Sequence, residues 1–307
     1  MEKINVIIND EKYDFDKGLT LFEISEKVYK EDFPALVAFV DNEIFSLDKK
    51  INYDCSVRFV NVLDPTGNRI YTRSLFFVLS YAFKELFGYD YYVKVCHSID
   101  KAIKLRTNLY LNQDRLNKLK DKMTEIIEND MHIEKCLVSR KEARKYFLSV
   151  NDKSKADTFI YNTNHYVTLY KLGDLYDYFF CNMPISTGVF KSFDLYFLDK
   201  GSFILQFPTV GDNGNIPEYV NREKIVKTFD DIYSLSKKLG LFDSSDVNKA
   251  VASGKISDII KLTETISSNN LLNLAREIYD QRDRIKLVLL AGPSSSGKTT
   301  TSRKLSM

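Results

Sequence analysis

Short bursts of alternating apolar and polar residues open the chain. KINVIIND (Lys3 to Asp10) and KYDFD (Lys12 to Asp16) read as strands, and Leu21, Ile24 and Val28 then fall on one face of a helix. ALVAFVDNEIF and SVRFVNV return to strand-like patterning, so the order predicts a small mixed sheet with one helix packed across it. Helical spacing follows from Tyr71 to Phe87, with Gly88 placed as a C-cap. A second helix is expected from Asp114 to Asn129, with Leu116, Leu119, Met123, Ile126 and Ile127 as its apolar face. A third opens at Ser139, where Ser139 and Glu142 have capping-box spacing. Between Thr158 and Phe207 the runs FIYN, YVTLY, YDYFF, FDLYF and FILQF are punctuated by Gly and Pro and predict an antiparallel sheet. From Arg222 to Gly240 and from Ser257 to Arg282 the period is helical again, with Gly240 and Gly254 as breaks.

The last apolar run, KLVLLA (Lys286 to Ala291), has the pattern of a strand buried on both faces of a parallel sheet, and GPSSSGKT follows it at once. In this glycine-rich pattern the backbone curls so that successive amides face phosphate oxygens, a lysine reaches the terminal phosphates and a hydroxyl holds Mg²⁺. The expected cradle is Gly292, Ser294, Ser295, Ser296, Gly297, Lys298, Thr299 and Thr300, with Lys298 as the catalytic cation and Thr299 as the metal ligand. ATP and Mg²⁺ are the cofactors this predicts. Phosphoryl transfer also needs a second carboxylate and an acceptor pocket, so the chain by itself is expected to be inactive.

Composition narrows the rest. Forty-four Lys and Arg against 42 Asp and Glu leave a net charge of +2, too even to imply a nucleic-acid or membrane partner from charge alone. Cys55, Cys96, Cys136 and Cys181 stand singly, and no signal peptide opens the chain, so a reduced, cytoplasmic protein is expected. The most apolar stretch, Ser74 to Phe83, is about half the ~20 residues a bilayer requires and predicts a buried helix. His97, in VCHSID, has no second ligand at metal spacing and reads as a structural histidine; His132 and His165 read as surface or turn residues. The basic stretch KAIKLR (Lys101 to Arg106) and the lysines of the Asp114 helix offer weak RNA contacts at most.

The motif AGPSSSGKTT resembles the uridine kinase type of P-loop, and a subset of bacterial kinases of that type carries a region similar to the front of threonyl-tRNA synthetase. Residues 1–62 look like a TGS domain. RSLFFVLSYAFKELFG, SRKEARKYF and the run from Asp177 to Phe193, with PISTGVFKSFDL, look like the synthetase's editing domain. The resemblance implies an α+β multidomain chain: a β-grasp TGS domain (1–62), an editing-like domain (63–221), a helical connector (222–283) and the start of a P-loop α/β domain (284–307). It also implies an ATP-dependent nucleoside kinase with a uridine or cytidine type of substrate; the alternative is a non-catalytic tRNA- or nucleotide-binding regulatory module derived from threonyl-tRNA synthetase. Where the editing family has an HxxxH pair and a Cys and a His four residues apart, this sequence has Arg73 and Phe77, then Phe179 and Met183. Phe and Met cannot take a proton, so no deacylase activity is expected.

Overall fold

Strands β1 (Lys3–Ile8) and β2 (Glu11–Asp16) pair antiparallel through Asn9 and Asp10, whose φ of 50° and 66° give the left-handed turn that matches strand twist. Helix α1 (Leu21–Val28) starts at a capping box in which Thr20 and Glu23 satisfy each other's amides. With β3 (Val37–Val40), β4 (Glu43–Ser46) and β5 (Cys55–Val60) the strands form one sheet in the order β2-β1-β5-β3-β4. The pairing of β1 with β5 is parallel and the others are antiparallel, so the sheet is mixed, as the patterning implied. Val6, Leu21, Ile24, Ala38 and Ile51 are wholly buried between sheet and helix.

The computed structural model describes residues 2–307 and divides into two units, the first through Ile232 and the second from Tyr233. Helix α2 (Pro65–Phe87) is the longest helix of the first unit. It begins six residues before the expected Tyr71, because Asp64 accepts from the Thr66 and Gly67 amides and Pro65 occupies the first turn. Gly88 ends it with φ of 80°, as the sequence indicated. After β6 (Val93–Ile99), β7 (Ala102–Thr107) and α3 (Gln113–Glu128) come β8 (Glu134–Ser139), α4 (Arg140–Ser149) and α5 (Lys153–Tyr161). Strands β9 (Tyr166–Leu172), β10 (Leu175–Asp177), β11 (Asp194–Asp199) and β12 (Ser202–Gln206) complete the unit's strands. They build two antiparallel sheets, β10-β9-β8 and β11-β12-β7-β6, rather than one.

Three elements differ from the patterning. FIYN lies in α5, where Asp152 caps the Lys155 amide and Ala156 and Phe159 turn inward three residues apart. Most of the basic stretch KAIKLR lies in β7, where Lys104 is only 2% exposed, so the stretch is not a solvated face. Lys286 to Ala291 forms no strand: Leu287 is 74% exposed and Leu289 84%, and among the described residues no strand pairs with this segment. An isolated apolar run cannot satisfy its backbone in a sheet without neighbours, whatever its composition.

The second unit is helical, with the end of α6 (Glu223–Lys238) and α7 (Ser244–Ala252), α8 (Ile256–Asp280) and α9 (Lys298–Ser306). Gly240 and Gly254 break it in the left-handed region, at φ of 70° and 74°. No helix among the described residues is long and apolar enough to cross a membrane.

Gly67 allows the first turn of α2 to lie against the chain that leaves β5. A Cβ there would fall on the Asn61 backbone carbonyl. Gly67→Ala should therefore destabilise the first unit by about 1–3 kcal/mol, the usual cost of forcing an extra carbon into close packing. A urea midpoint equal to that of the native chain would contradict it.

Candidate functional site

Helix α2 presents Arg73 and Phe77 one turn apart, and the segment after β10 brings Phe179, Cys181 and Met183 against them. Phe77 is fully buried, and its ring lies 5.3 Å from that of Phe179. Met183 is also buried, at 1% exposure. The positions where a hydrolytic site would need proton carriers are thus filled by packed aromatic and thioether side chains. Apolar atoms there exclude water without activating it.

Arg73 is exposed and its guanidinium lies beside the Cys181 thiol. Burial pushes that thiol above its ordinary value, and Arg73 opposes the shift without reversing it. Cys181 therefore remains protonated near neutrality and is a poor nucleophile. The Tyr170 hydroxyl donates to the Cys181 carbonyl at 2.7 Å, and Asn182 donates from Nδ2 to the Ile44 carbonyl of β4 at 2.8 Å. Lys135 on β8 donates to Asn182 Oδ1 at 3.0 Å. The segment is held from three directions, while Phe180, just before these anchors, is 83% exposed. Its ring meets Tyr178 edge-on at 4.7 Å, and Tyr178 meets Phe159 at 5.2 Å.

The PISTG stretch is structural. Thr187 is wholly buried; its hydroxyl donates to the Ile126 carbonyl at 2.7 Å and accepts from the Met131 amide at 2.8 Å. The Gly188 amide donates to Asp130 Oδ1 at 2.7 Å, which fixes the loop to the end of α3. His132 bridges to Ser186 in the same region, the His165 carbonyl accepts from the Arg140 amide, and both histidines are exposed. Cys181, Tyr170 and Phe180 were not singled out by sequence, because YDYFF reads as a strand and only the fold shows that its end leaves the sheet.

The glycine-rich segment lies in the second unit. Ser295 and Gly297 take left-handed φ of 60° and 77°, and α9 starts at Lys298, as the motif requires. Lys298 donates to the Gly292 carbonyl at 2.8 Å and the Pro293 carbonyl at 2.5 Å, folding its ammonium over its own loop. Gly292, Ser294, Ser295, Ser296, Gly297, Thr299 and Thr300 are exposed. Loop and helix are present; the buried strand expected before them is not. Among the described residues no group of three or more His, Cys, Asp or Glu side chains has the arrangement to hold a metal ion.

Because the Cys181 thiol is raised by burial, its alkylation by iodoacetamide should keep accelerating as pH rises past about 8. Arg73→Ala should slow it further, since the guanidinium is what pulls the thiol back toward its ordinary value. Peptide-resolved mass spectrometry reads both; a rate that levels off near neutral pH would mean an activated thiolate.

No protein-family model matches the chain. It is similar to the threonine–tRNA ligase of Thermotoga petrophila, 28% identical over 200 residues, which is 63% of this chain and 30% of the ligase. The threonine–tRNA ligase of Halorhodospira halophila is 29% identical over 187 residues, covering 59% of this chain and 29% of the ligase. That of Clostridium kluyveri is 27% identical over 173 residues, 55% and 27% respectively. The chain spans about 30% of the length of the curated relatives it matches. These similarities overturn the expectation of an ATP-dependent nucleoside kinase acting on a uridine-type substrate: the relatives are tRNA ligases, and nothing supports a uridine kinase part or a nucleoside partner. What the chain contains is a threonyl-tRNA synthetase-like region.

Proposed function

We propose that this chain is a non-catalytic tRNA-binding module of threonyl-tRNA synthetase descent, with residues 1–62 as a TGS domain, 63–221 as an editing-like domain without hydrolytic chemistry, and 222–283 as a helical connector. The observation that carries the reading is the makeup of the contact between α2 and the segment after β10. Its interior is closed by Phe77, Phe179 and Met183, while a fixed cation, Arg73, and an exposed ring, Phe180, remain at its surface. A cation and an aromatic face are what a nucleotide end needs, a phosphate contact and a stacking platform. Similarity to threonine–tRNA ligases makes tRNA the nucleic acid to test first.

Fluorescence anisotropy with labelled tRNA at moderate salt should give saturable binding. Phe180→Ala should weaken it by roughly tenfold, within the ~1–3 kcal/mol of one base stacked on a ring. Arg73→Ala should weaken binding and lower the salt slope by about one charge. Mischarged tRNA should lose its amino acid no faster than in buffer. Absence of saturable binding would remove the reading, and rapid deacylation would restore a catalytic one.

A second reading concerns phosphate binding alone and rests on the left-handed Ser295 and Gly297 leading into α9. In it the amides of Gly292, Ser294, Ser295, Ser296 and Gly297 face phosphate oxygens of ATP with Thr300 completing the cradle, Lys298 leaves its own carbonyls for the terminal phosphates, and Thr299 supplies a hydroxyl toward Mg²⁺. Calorimetry with Mg-ATP should show binding that Lys298→Ala abolishes. No heat at millimolar ATP, or an unchanged affinity in the variant, would dismiss it.

A further inference from the structure

Helix α3 and the segment that continues from the turn at Thr187–Val189 into β11 lie side by side and are tied at two places. At one end the Gly188 amide donates to Asp130 Oδ1 at 2.7 Å; at the other, Lys120 Nζ donates to Asp194 Oδ1 at 2.8 Å. The two stretches therefore run in opposite directions. Between the ties they leave an open slot of about 690 Å³, inside the ~300–1,000 Å³ typical of small-molecule sites. Lys120, Thr124 and Glu128 mark its length along α3, about 12 Å at the rise of an α-helix.

The lining is apolar at its base and charged at its rim. Phe190, 1% exposed, and the half-buried Ile127, Phe193 and Ile216 supply the apolar surface. Glu128, in the last turn of α3, and Lys191, on the facing segment, are exposed and line the slot from opposite walls. Among the described residues neither side chain has an ion-pair partner, and the two do not reach each other within 4.0 Å. The carbonyl end of α3 adds its negative dipole to the preference of Glu128 for a cation.

These charges select the occupant. An anion alone would face three carboxylates, Glu128, Asp130 and Asp194, against two lysines, one of which Asp194 already holds. A cation alone would leave Lys191 unmet. A molecule carrying one ammonium and one carboxylate on an apolar body matches both free groups and the base between them. Amino acids and short peptides have this charge pattern near neutral pH, because their amino ends are protonated and their carboxyl ends ionised. At ~3.3 Å per extended residue, three to four residues span the 12 Å of helix that borders the slot.

We propose that the slot between α3 and residues 188–194 binds a small zwitterion with an apolar body, its ammonium at Glu128 and its carboxylate at Lys191. The molecule is either a free apolar amino acid or a short apolar peptide with free ends. This site shares no residue with the surface at Arg73 and Phe180 and does not depend on tRNA binding there.

Calorimetry of the 307-residue chain with the tripeptide alanyl-phenylalanyl-alanine and with free phenylalanine tests the proposal. At least one should bind saturably; tighter binding of the tripeptide identifies a peptide as the source, and equal or tighter binding of phenylalanine identifies the amino acid. Acetylating the ligand's amino end should weaken binding to the native chain by about fivefold, the upper range of an exposed ion pair, and leave binding to Glu128→Gln unchanged. Amidating its carboxyl end should do the same for the native chain and leave binding to Lys191→Met unchanged. Thr124→Trp, which places a ring in the slot from the exposed face of α3, should abolish binding. The proposal is overturned if neither ligand saturates at millimolar concentration, if blocking an end weakens the matching variant as much as the native chain, or if Thr124→Trp binds as the native chain does. Should a variant fail to fold, the blocked ligands decide on the native chain alone: undiminished binding of both overturns the proposal.

Discussion

Burial of helix α2 is the constraint on which the first unit depends. Ile70, Tyr71, Leu75, Phe77, Val78, Leu79, Ala82 and Phe83 are all buried along it, and their cluster continues through Leu116, Leu119 and Met123 of α3 to Leu105, Phe203 and Leu205 of the four-stranded sheet. Full burial of each large apolar side chain is worth about 1.5–3 kcal/mol before entropy is counted, so no other helix of the unit could hold these layers together. Tyr71 ties the helix to the far loop as well: its hydroxyl donates to the Ser192 carbonyl at 2.7 Å, and burial pushes its ionisation up to about 12.

The same helix determines what the cleft can do. Residues 73 and 77 are one turn apart, so whatever occupies them faces the segment that carries Phe179 and Met183. With two protonatable groups on that face a water could be oriented and deprotonated. With Phe77 packed on Phe179 the space is instead part of the core, and only the rim keeps polar character. At these positions core packing and proton-transferring side chains exclude each other. Arg73 and Phe180 are free of that constraint because both lie outside the packed interior.

Much of this architecture was legible in the residues. The mixed sheet around α1, the capping box at Ser139, the apolar face of α3 and the glycine stop at Gly88 all follow from local spacing and local hydrogen bonding. Misreadings arose where distant partners decide. FIYN has strand-forming residues, but the Asp152 cap and the inward spacing of Ala156 and Phe159 make it helical. KAIKLR reads as a charged surface until its neighbours β6 and β12 enclose it and Asp230 covers Lys104. KLVLLA carries the composition of a buried strand, and a strand exists only where another strand pairs with it. Arg73, Phe77, Phe179 and Met183 were indicated by the resemblance to an editing domain, whereas Cys181 and Phe180 became visible only when the chain was seen to leave β10.

The claim at the centre of this account is that the surface at Arg73 and Phe180 receives the end of a tRNA. Photo-crosslinking of a tRNA bearing a reactive 3′-terminal nucleoside, followed by peptide identification, tests it most directly. The account predicts crosslinks on the peptide around Phe180 and on that containing Arg73, lost when unlabelled tRNA competes. Crosslinks confined to other surfaces, or none that unlabelled tRNA displaces, would contradict it.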